Sequence, residues 1–142
     1  MVGAALQPGD VPALIAAGIT HVVDATTHDD SPFLAATQAH PAINVLWLNT
    51  ADDGQNKVAV YQAIPAWFLA AYVDPNHKFV FHCDGGCNRG PGACCCALCC
   101  LGYIEDAAVA AIFAARSAAN PNGGCQRYHH DAWQAAHLLG YC

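Results

Sequence analysis

The chain has 142 residues, of which five are basic and eleven acidic, and its formal net charge at pH 7 is −6. This length fits one domain, residues 1-142, that can bury about two-thirds of the surface its unfolded chain exposes. The bases are scattered and form no patch, so we expect neither nucleic acid nor an anionic membrane as the main partner. No apolar run approaches the roughly 18 residues of a membrane span, and residues 1–8 lack the features of a signal peptide. We therefore expect a cytoplasmic protein.

The hydrophobic pattern predicts helices that alternate with short buried strands. In chain order it predicts helix 11–17, strand 19–25, strand 43–48, helix 58–72 with a kink at Pro65, strand 79–81, helix 93–101, helix 107–117 and helix 126–139. Alternating strands and helices indicate an α/β fold in which helices flank a central, mostly parallel sheet.

The most informative stretch lies between the third predicted strand and the helix that follows it. It reads His-Cys-Asp-Gly-Gly-Cys-Asn-Arg-Gly-Pro-Gly over residues 82–92. Successive N–H groups of such a loop, together with the N-terminus of a helix, form an anion site, which favours the thiolate form of Cys83. The guanidinium of Arg89 can hold two oxygens of a phosphate. A nucleophile and an oxyanion clamp thus share one loop.

A second polar loop follows the second predicted strand. The second strand, its helix and the third strand form a βαβ unit, so both strands should be parallel and end at the same edge of the sheet. The loop that contains Asp52 and Asp53 therefore opens onto the same cleft as the Cys83 loop. A carboxylic acid across that cleft can protonate a leaving oxygen, an effect worth roughly 10²–10⁴ in rate.

The nine cysteines do not follow the pattern of a secreted disulfide framework, because their number is odd and five of them fall within residues 94–100. Cys96 and Cys99 have the spacing of half a zinc site, but no second pair follows at the spacing of a zinc finger. Free cysteine behaves as a small buried hydrophobe. We therefore expect this cluster in the core, and no metal or other cofactor.

The pattern His-Cys, five residues, Arg resembles the signature loop of the cysteine-dependent protein phosphatases. Gly86, at the third place after the cysteine, is typical of the dual-specificity branch of that family. The similarity covers most of the chain in the family's order: residues 18–23 resemble its early core strand, 48–55 its general-acid loop, 78–89 its central strand and signature, and 107–116 and 120–122 its C-terminal region.

This resemblance implies a two-step mechanism on a phosphorylated protein or peptide, without a cofactor. Cys83 would attack phosphorus, Asp53 would protonate the leaving hydroxyl and then activate water, and His82 would support the thiolate. Arg89 and the N–H groups of the loop would hold the phosphate; the loop residues are Asp84, Gly85, Gly86, Cys87 and Asn88.

One position departs from the family. Serine or threonine usually follows the arginine and donates a hydrogen bond to the cysteine sulfur, whereas this chain has Gly90. A phospho-binding pseudophosphatase is therefore one alternative, although Cys83 and Asp53 speak against it. A phosphatase of RNA 5′-triphosphate or of phosphoinositides is another, but it would want more positive charge than Arg89 supplies, and Asp84 adds a negative one. A zinc or redox protein built on the cysteine cluster is a third.

Overall fold

A computed structural model describes residues 1–27, 32–116 and 126–142, and within them a four-stranded sheet forms the centre of the molecule. Its strands are β1 (Val2–Gly3), β2 (His21–Asp24), β3 (Asn44–Trp47) and β4 (Phe79–His82). Their order across the sheet is β1-β4-β2-β3, and every neighbouring pair is parallel. The predicted parallel sheet is confirmed, and β3 and β4 are near neighbours separated only by β2.

Seven α-helices lie in the described part of the chain, and a short 3₁₀ turn, Pro8–Asp10, precedes the first. The helices are α1 (Val11–Ala16), α2 (Pro32–Gln38), α3 (Val58–Tyr61), α4 (Ile64–Tyr72), α5 (Arg89–Cys100), α6 (Glu105–Ala115) and α7 (Gln126–Leu138).

The two faces of the sheet contribute to two hydrophobic clusters, because successive strand residues point to opposite sides. Val22 and Val80 pack in one cluster with Val11 of α1. Val23 and Phe81, the next residues along the same strands, pack in the other with the buried side of α5. Helices thus cover both faces, as an α/β layer fold requires.

Many element boundaries differ from the sequence-based prediction by one or two residues, and three differences are larger. β1 was not predicted, because two residues are too few to show alternation. The predicted helix 58–72 is two helices, and Pro65 occupies the second position of α4, where its missing N–H costs nothing. α5 begins at Arg89 rather than at residue 93, because its first turn carries no apolar periodicity. The predicted loop at residues 120–122 lies outside the described residues.

Candidate active site

The loop of residues 84–88 joins the end of β4 to the start of α5, and Cys83 stands at its entrance. Only 1% of Cys83 is exposed. The N-terminal segment holds the loop from one side, since the N–H of Ala5 donates to the carbonyl of Asp84 at 2.9 Å. Gly86 has a φ of 65°, and a Cβ there would come within 2.6 Å of the carbonyl oxygen of Gly3. Both the backbone conformation and the space therefore require glycine at position 86.

Arg116, directly after α6, holds the loop from outside. Its Nε donates to the carbonyl of Gly86 at 2.9 Å and its Nη2 to the carbonyl of Gly85 at 3.3 Å. In a trans peptide the N–H points opposite to the carbonyl, so these bonds turn the N–H groups of Gly86 and Cys87 away from Arg116. Sequence reasoning missed this role, because the positive φ and close packing of the loop appear only in three dimensions.

Arg89 is 4% exposed and is fixed by contacts on three sides. Its Nη1 donates to the carbonyl of Thr50 at 2.8 Å, and its Nη2 donates to Oδ2 of Asp84 at 2.6 Å. Its Nε lies 3.9 Å from Oδ2 of Asp52 and has no hydrogen-bond partner among the described residues. Burial alone would lower the pKa of Arg89, but the hydrogen bond with Asp84 and the nearby charge of Cys83 outweigh it and raise that pKa.

The two candidate acids point to different partners. Asp52 accepts hydrogen bonds from Nδ2 of Asn88 at 3.1 and 3.3 Å, and so lies against the Cys83 loop. Asp53 instead forms an ion pair with Nζ of Lys57 at 2.6 Å and accepts from the N–H of Gln55 at 3.0 Å. These two bonds, that with Lys57 first, hold the pKa of Asp53 below its usual value. The structure therefore brings Asp52, rather than Asp53, to the loop.

Helix α7 anchors the loop that carries both aspartates. The N–H of Gly54 donates to the hydroxyl of Tyr128 at 2.9 Å. The buried carboxylate of Asp131 accepts from the N–H of Lys57 at 2.7 Å and from Nδ2 of Asn56 at 3.1 Å. These partners lie more than 70 residues from the loop in sequence, so no local pattern could have indicated them.

His82 lies behind the cysteine at the end of β4, fully enclosed. Its Nε2 is 3.6 Å from Oδ1 of Asp24, and the ring of Phe33 packs edge-on against it at 5.4 Å. Burial lowers the pKa of His82 more than the carboxylates of Asp24 and Asp84 raise it. The imidazole is therefore neutral at pH 7, close to the Cys83 backbone but not a source of positive charge.

The first turn of α5 packs tightly against β4 and α3. A Cβ at Gly90 would come within 2.9 Å of the carbonyl carbon of His82, and one at Gly92 within 2.5 Å of the Tyr61 hydroxyl. The same hydroxyl donates to the carbonyl of Arg89 at 3.2 Å. Glycine at position 90 thus fits a close approach of helix to strand, which the sequence alone did not indicate.

The remaining cysteines of α5 lie in the core as free thiols, with Cys95, Cys96 and Cys99 fully buried. In residues 1–27, 32–116 and 126–142 no three histidine, cysteine or acidic side chains are grouped so as to hold a metal ion. Nor does any helix of these residues combine the length and hydrophobicity of a membrane span.

Comparison with solved structures identifies the fold, although neither the known protein-family models nor the curated protein sequences match the chain. Human DUSP28 is 22% identical, with a TM-score of 0.77, and the alignment covers 99% of this chain and 94% of that one. A mouse putative dual specificity phosphatase complexed with zinc tungstate is 24% identical, with a TM-score of 0.73 and coverages of 94% and 81%. PTPMT1 in complex with PI(5)P is 14% identical, with a TM-score of 0.75 and coverages of 98% and 93%. The chain has the fold of the cysteine-based phosphatases, dual-specificity phosphatases among them, and the predicted fold class is confirmed.

Proposed function

We propose that the chain is a phosphoprotein phosphatase that hydrolyses phosphotyrosine, and also phosphoserine and phosphothreonine where they reach the pocket, through a phosphocysteine intermediate. The observation that carries the proposal is the braced loop between β4 and α5, which has Cys83 at its start and the buried guanidinium of Arg89 at its end. The similarity in fold to dual-specificity phosphatases supports the same conclusion.

In the first step the Cys83 thiolate attacks phosphorus and the bond to the leaving oxygen breaks. The developing charge on the equatorial oxygens is held by the loop N–H groups and by Nε and Nη2 of Arg89, the guanidinium edge opposite the Nη1–Thr50 bond. Because Nη1 is already anchored, the guanidinium is oriented before substrate arrives, which avoids reorganisation during the reaction.

The leaving oxygen needs a proton, and we assign this role to Asp52. Its carboxylate contacts Asn88 and lies beside Arg89, at the mouth of the loop. Asp53, which the family resemblance predicts as the acid, is ion-paired with Lys57, and its lowered pKa favours the charged form, which has no proton to give. The sequence-based assignment of Asp53 as the acid would hold if the loop rotated and released Asp53 from Lys57.

In the second step water attacks phosphorus with the aspartate as general base, and the sulfur leaves as a thiolate. Gly90 supplies no hydroxyl to stabilise that thiolate. Breakdown of the phosphocysteine is therefore the slower step for substrates with good leaving groups.

Hydrolysis of p-nitrophenyl phosphate and of a phosphotyrosine peptide tests the proposal directly. We expect the wild-type protein to release phosphate from both, and Cys83→Ser to release none while still binding tungstate in calorimetry. A wild-type protein that hydrolyses neither substrate is not a phosphatase.

Gly90 specifically motivates one second candidate, a phospho-binding pseudophosphatase. A pseudophosphatase of this kind should bind a phosphotyrosine peptide and become phosphorylated on Cys83, but it should release at most one equivalent of the leaving group. Continued phosphate release over many turnovers would exclude it.

A further inference from the structure

The carboxylate of Asp84 lies on the functional edge of Arg89, within the phosphate loop itself. Its Oδ2 accepts from Nη2 of Arg89 at 2.6 Å, and its side chain is 46% exposed. It is therefore partly exposed to solvent while it contacts the guanidinium. Asp52 lies on the other flank of the same guanidinium, 3.9 Å from Nε.

The guanidinium of Arg89 already donates to two partners. Nη1 is bonded to the carbonyl of Thr50 and Nη2 to Asp84, whereas the buried Nε lacks a hydrogen-bond partner in the described part of the chain. A buried donor without a partner is costly, so an acceptor at this point is strongly favoured. A phosphate that binds Nε and Nη2 together therefore competes with Asp84 for Nη2.

The other described cations near the site are already engaged in contacts. Of the lysine and arginine side chains that the structure describes, Lys57 is paired with Asp53, Arg116 donates to loop carbonyls, and Lys78 donates to the carbonyl of Ala17. Asp52 and Asp84 would therefore repel an acidic ligand at the mouth of the loop, whereas Arg116 is held on the outer side of the loop by the carbonyls of Gly85 and Gly86.

We propose that Asp84 determines substrate specificity by exchanging ion-pair partners, an inference that rests on the proposed function. The substrate is then a phosphopeptide with lysine or arginine next to the phosphorylated residue. When phosphate binds to Arg89, the carboxylate of Asp84 is released at the mouth of the loop. A cationic side chain of the peptide then pairs with it, whereas an acidic side chain is repelled. No covalent bond forms or breaks in this exchange.

Two phosphotyrosine peptides of equal length, one flanked by lysines and one by glutamates, provide the test. At low ionic strength we expect kcat/KM to be about tenfold or more higher for the basic peptide, which corresponds to about 1.4 kcal/mol. The ratio should fall as salt is added, because the charges at the mouth are partly exposed and screened. It should also fall in Asp84→Asn, which keeps the shape of the side chain and removes its charge.

Asp106→Asn is the matched control. Asp106 is an exposed carboxylate in the first turn of α6, about 15 Å along that helix from Arg116 by the rise per residue. It makes the same change in net charge, and we expect it to leave the peptide ratio as in the wild type.

Competition with inorganic phosphate supplies a second readout that does not depend on peptides. We expect the inhibition constant of phosphate to fall by about tenfold in Asp84→Asn, because the internal competitor for Nη2 has lost its charge. An equal or higher rate on the acidic peptide, or a ratio and a phosphate inhibition constant unchanged in Asp84→Asn, would overturn the inference. Since p-nitrophenyl phosphate is assayed in parallel, failure of this inference is distinct from failure of the proposed phosphatase activity.

Discussion

The loop before helix α5 and the body of that helix put the same residue type to different uses. Before the helix begins, the chain passes from Cys83 through a polar loop into Arg89, whose guanidinium donates to the carbonyl of Thr50 and the carboxylate of Asp84. In its body, Cys95 and Cys96 are fully buried among apolar side chains. Each of these two thiols donates a hydrogen bond to a cysteine one turn later, and this bond, followed by burial, raises its pKa. The surroundings, and not the residue type, decide which cysteine is available for chemistry.

Replacing one cysteine in each of these two regions should give the largest difference in activity. Cys83→Ser is expected to lower kcat for p-nitrophenyl phosphate by on the order of 10⁴-fold or more, as loss of a nucleophile does. Cys96→Ala should keep kcat near the wild-type value. Removing one buried sulfur should cost about 1 kcal/mol, which lowers Tm by roughly 2–4 °C in a domain of this size.

Steady-state kinetics and thermal unfolding on the two variants measure both effects. The comparison between the loop and the helix body fails if Cys96→Ala loses activity as Cys83→Ser does, since the buried cysteines of α5 would then take part in the reaction.

A second pair of substitutions compares the two neighbouring aspartates of the candidate active site. Asp52→Asn should slow hydrolysis of a phosphotyrosine peptide by roughly 10²-fold or more, in the range of lost general-acid catalysis. Asp53→Asn should change kcat little, because that carboxylate is ion-paired with Lys57.

Each aspartate variant is the control for the other, since both remove one charge from the same loop. A large loss in Asp53→Asn with little loss in Asp52→Asn would reverse the assignment and support the one drawn from the family resemblance.

This pair also marks how far the sequence could predict the site. The parallel sheet and the sharing of one edge by the two loops follow from hydrophobic patterns and βαβ topology, which act over whole segments. The choice between Asp52 and Asp53 depends instead on which side chain meets Lys57 and which meets Asn88. Such contacts depend on side-chain packing within a few ångströms. The hydrophobic pattern of a whole segment carries no information at that scale.

The residues that hold the two loops in place could not be predicted from the sequence for a related reason. Arg116, Tyr128 and Asp131 reach the two loops from helices that come late in the chain. Each is an unremarkable residue of a predicted helix when only its neighbours in sequence are considered. Their roles arise from packing between helices that are distant in sequence.

The first turn of α5 yields the third prediction. A hydroxyl that donates to an anion is worth about 1.5–3 kcal/mol, or roughly ten- to a hundredfold in rate. Because Gly90 cannot donate, rapid mixing with p-nitrophenyl phosphate should show a burst of nitrophenol near one equivalent, followed by slower turnover. Absence of the burst would mean that another group stabilises the leaving thiolate.

Gly90→Ser does not simply restore the missing hydroxyl, because its Cβ would lie 2.9 Å from the carbonyl carbon of His82. Overpacking of this kind destabilises by about 1–3 kcal/mol, which denaturant unfolding measures. Gly9→Ser is the matched control, since a Cβ there meets nothing within 4 Å among the described residues. Equal stability of the two variants would show that the helix can move away from β4.

The smallest expected effect comes from His129 of α7, whose carbonyl lies 3.8 Å from Sγ of Cys95 in the body of α5. His129 is 1% exposed, and neither ring nitrogen has a hydrogen-bond partner in the part of the chain that the structure describes. Burial lowers the pKa of His129 to about 4. The unfolded chain, with an ordinary histidine pKa of about 6.5, therefore binds a proton that the folded protein excludes.

The sign of the pH dependence follows from this difference in bound protons. The contribution of His129 to stability is complete above about pH 6.5, and it is lost as the pH falls toward the folded value of about 4. Between pH 7.5 and 5.5 the free energy of unfolding should fall by roughly 1 kcal/mol from this residue. His129→Gln should reduce that fall, whereas His137→Gln, exposed on the same helix, should leave it in place. Urea unfolding at several pH values makes the measurement. A fall that is the same in all three proteins would assign the acid sensitivity to groups other than His129.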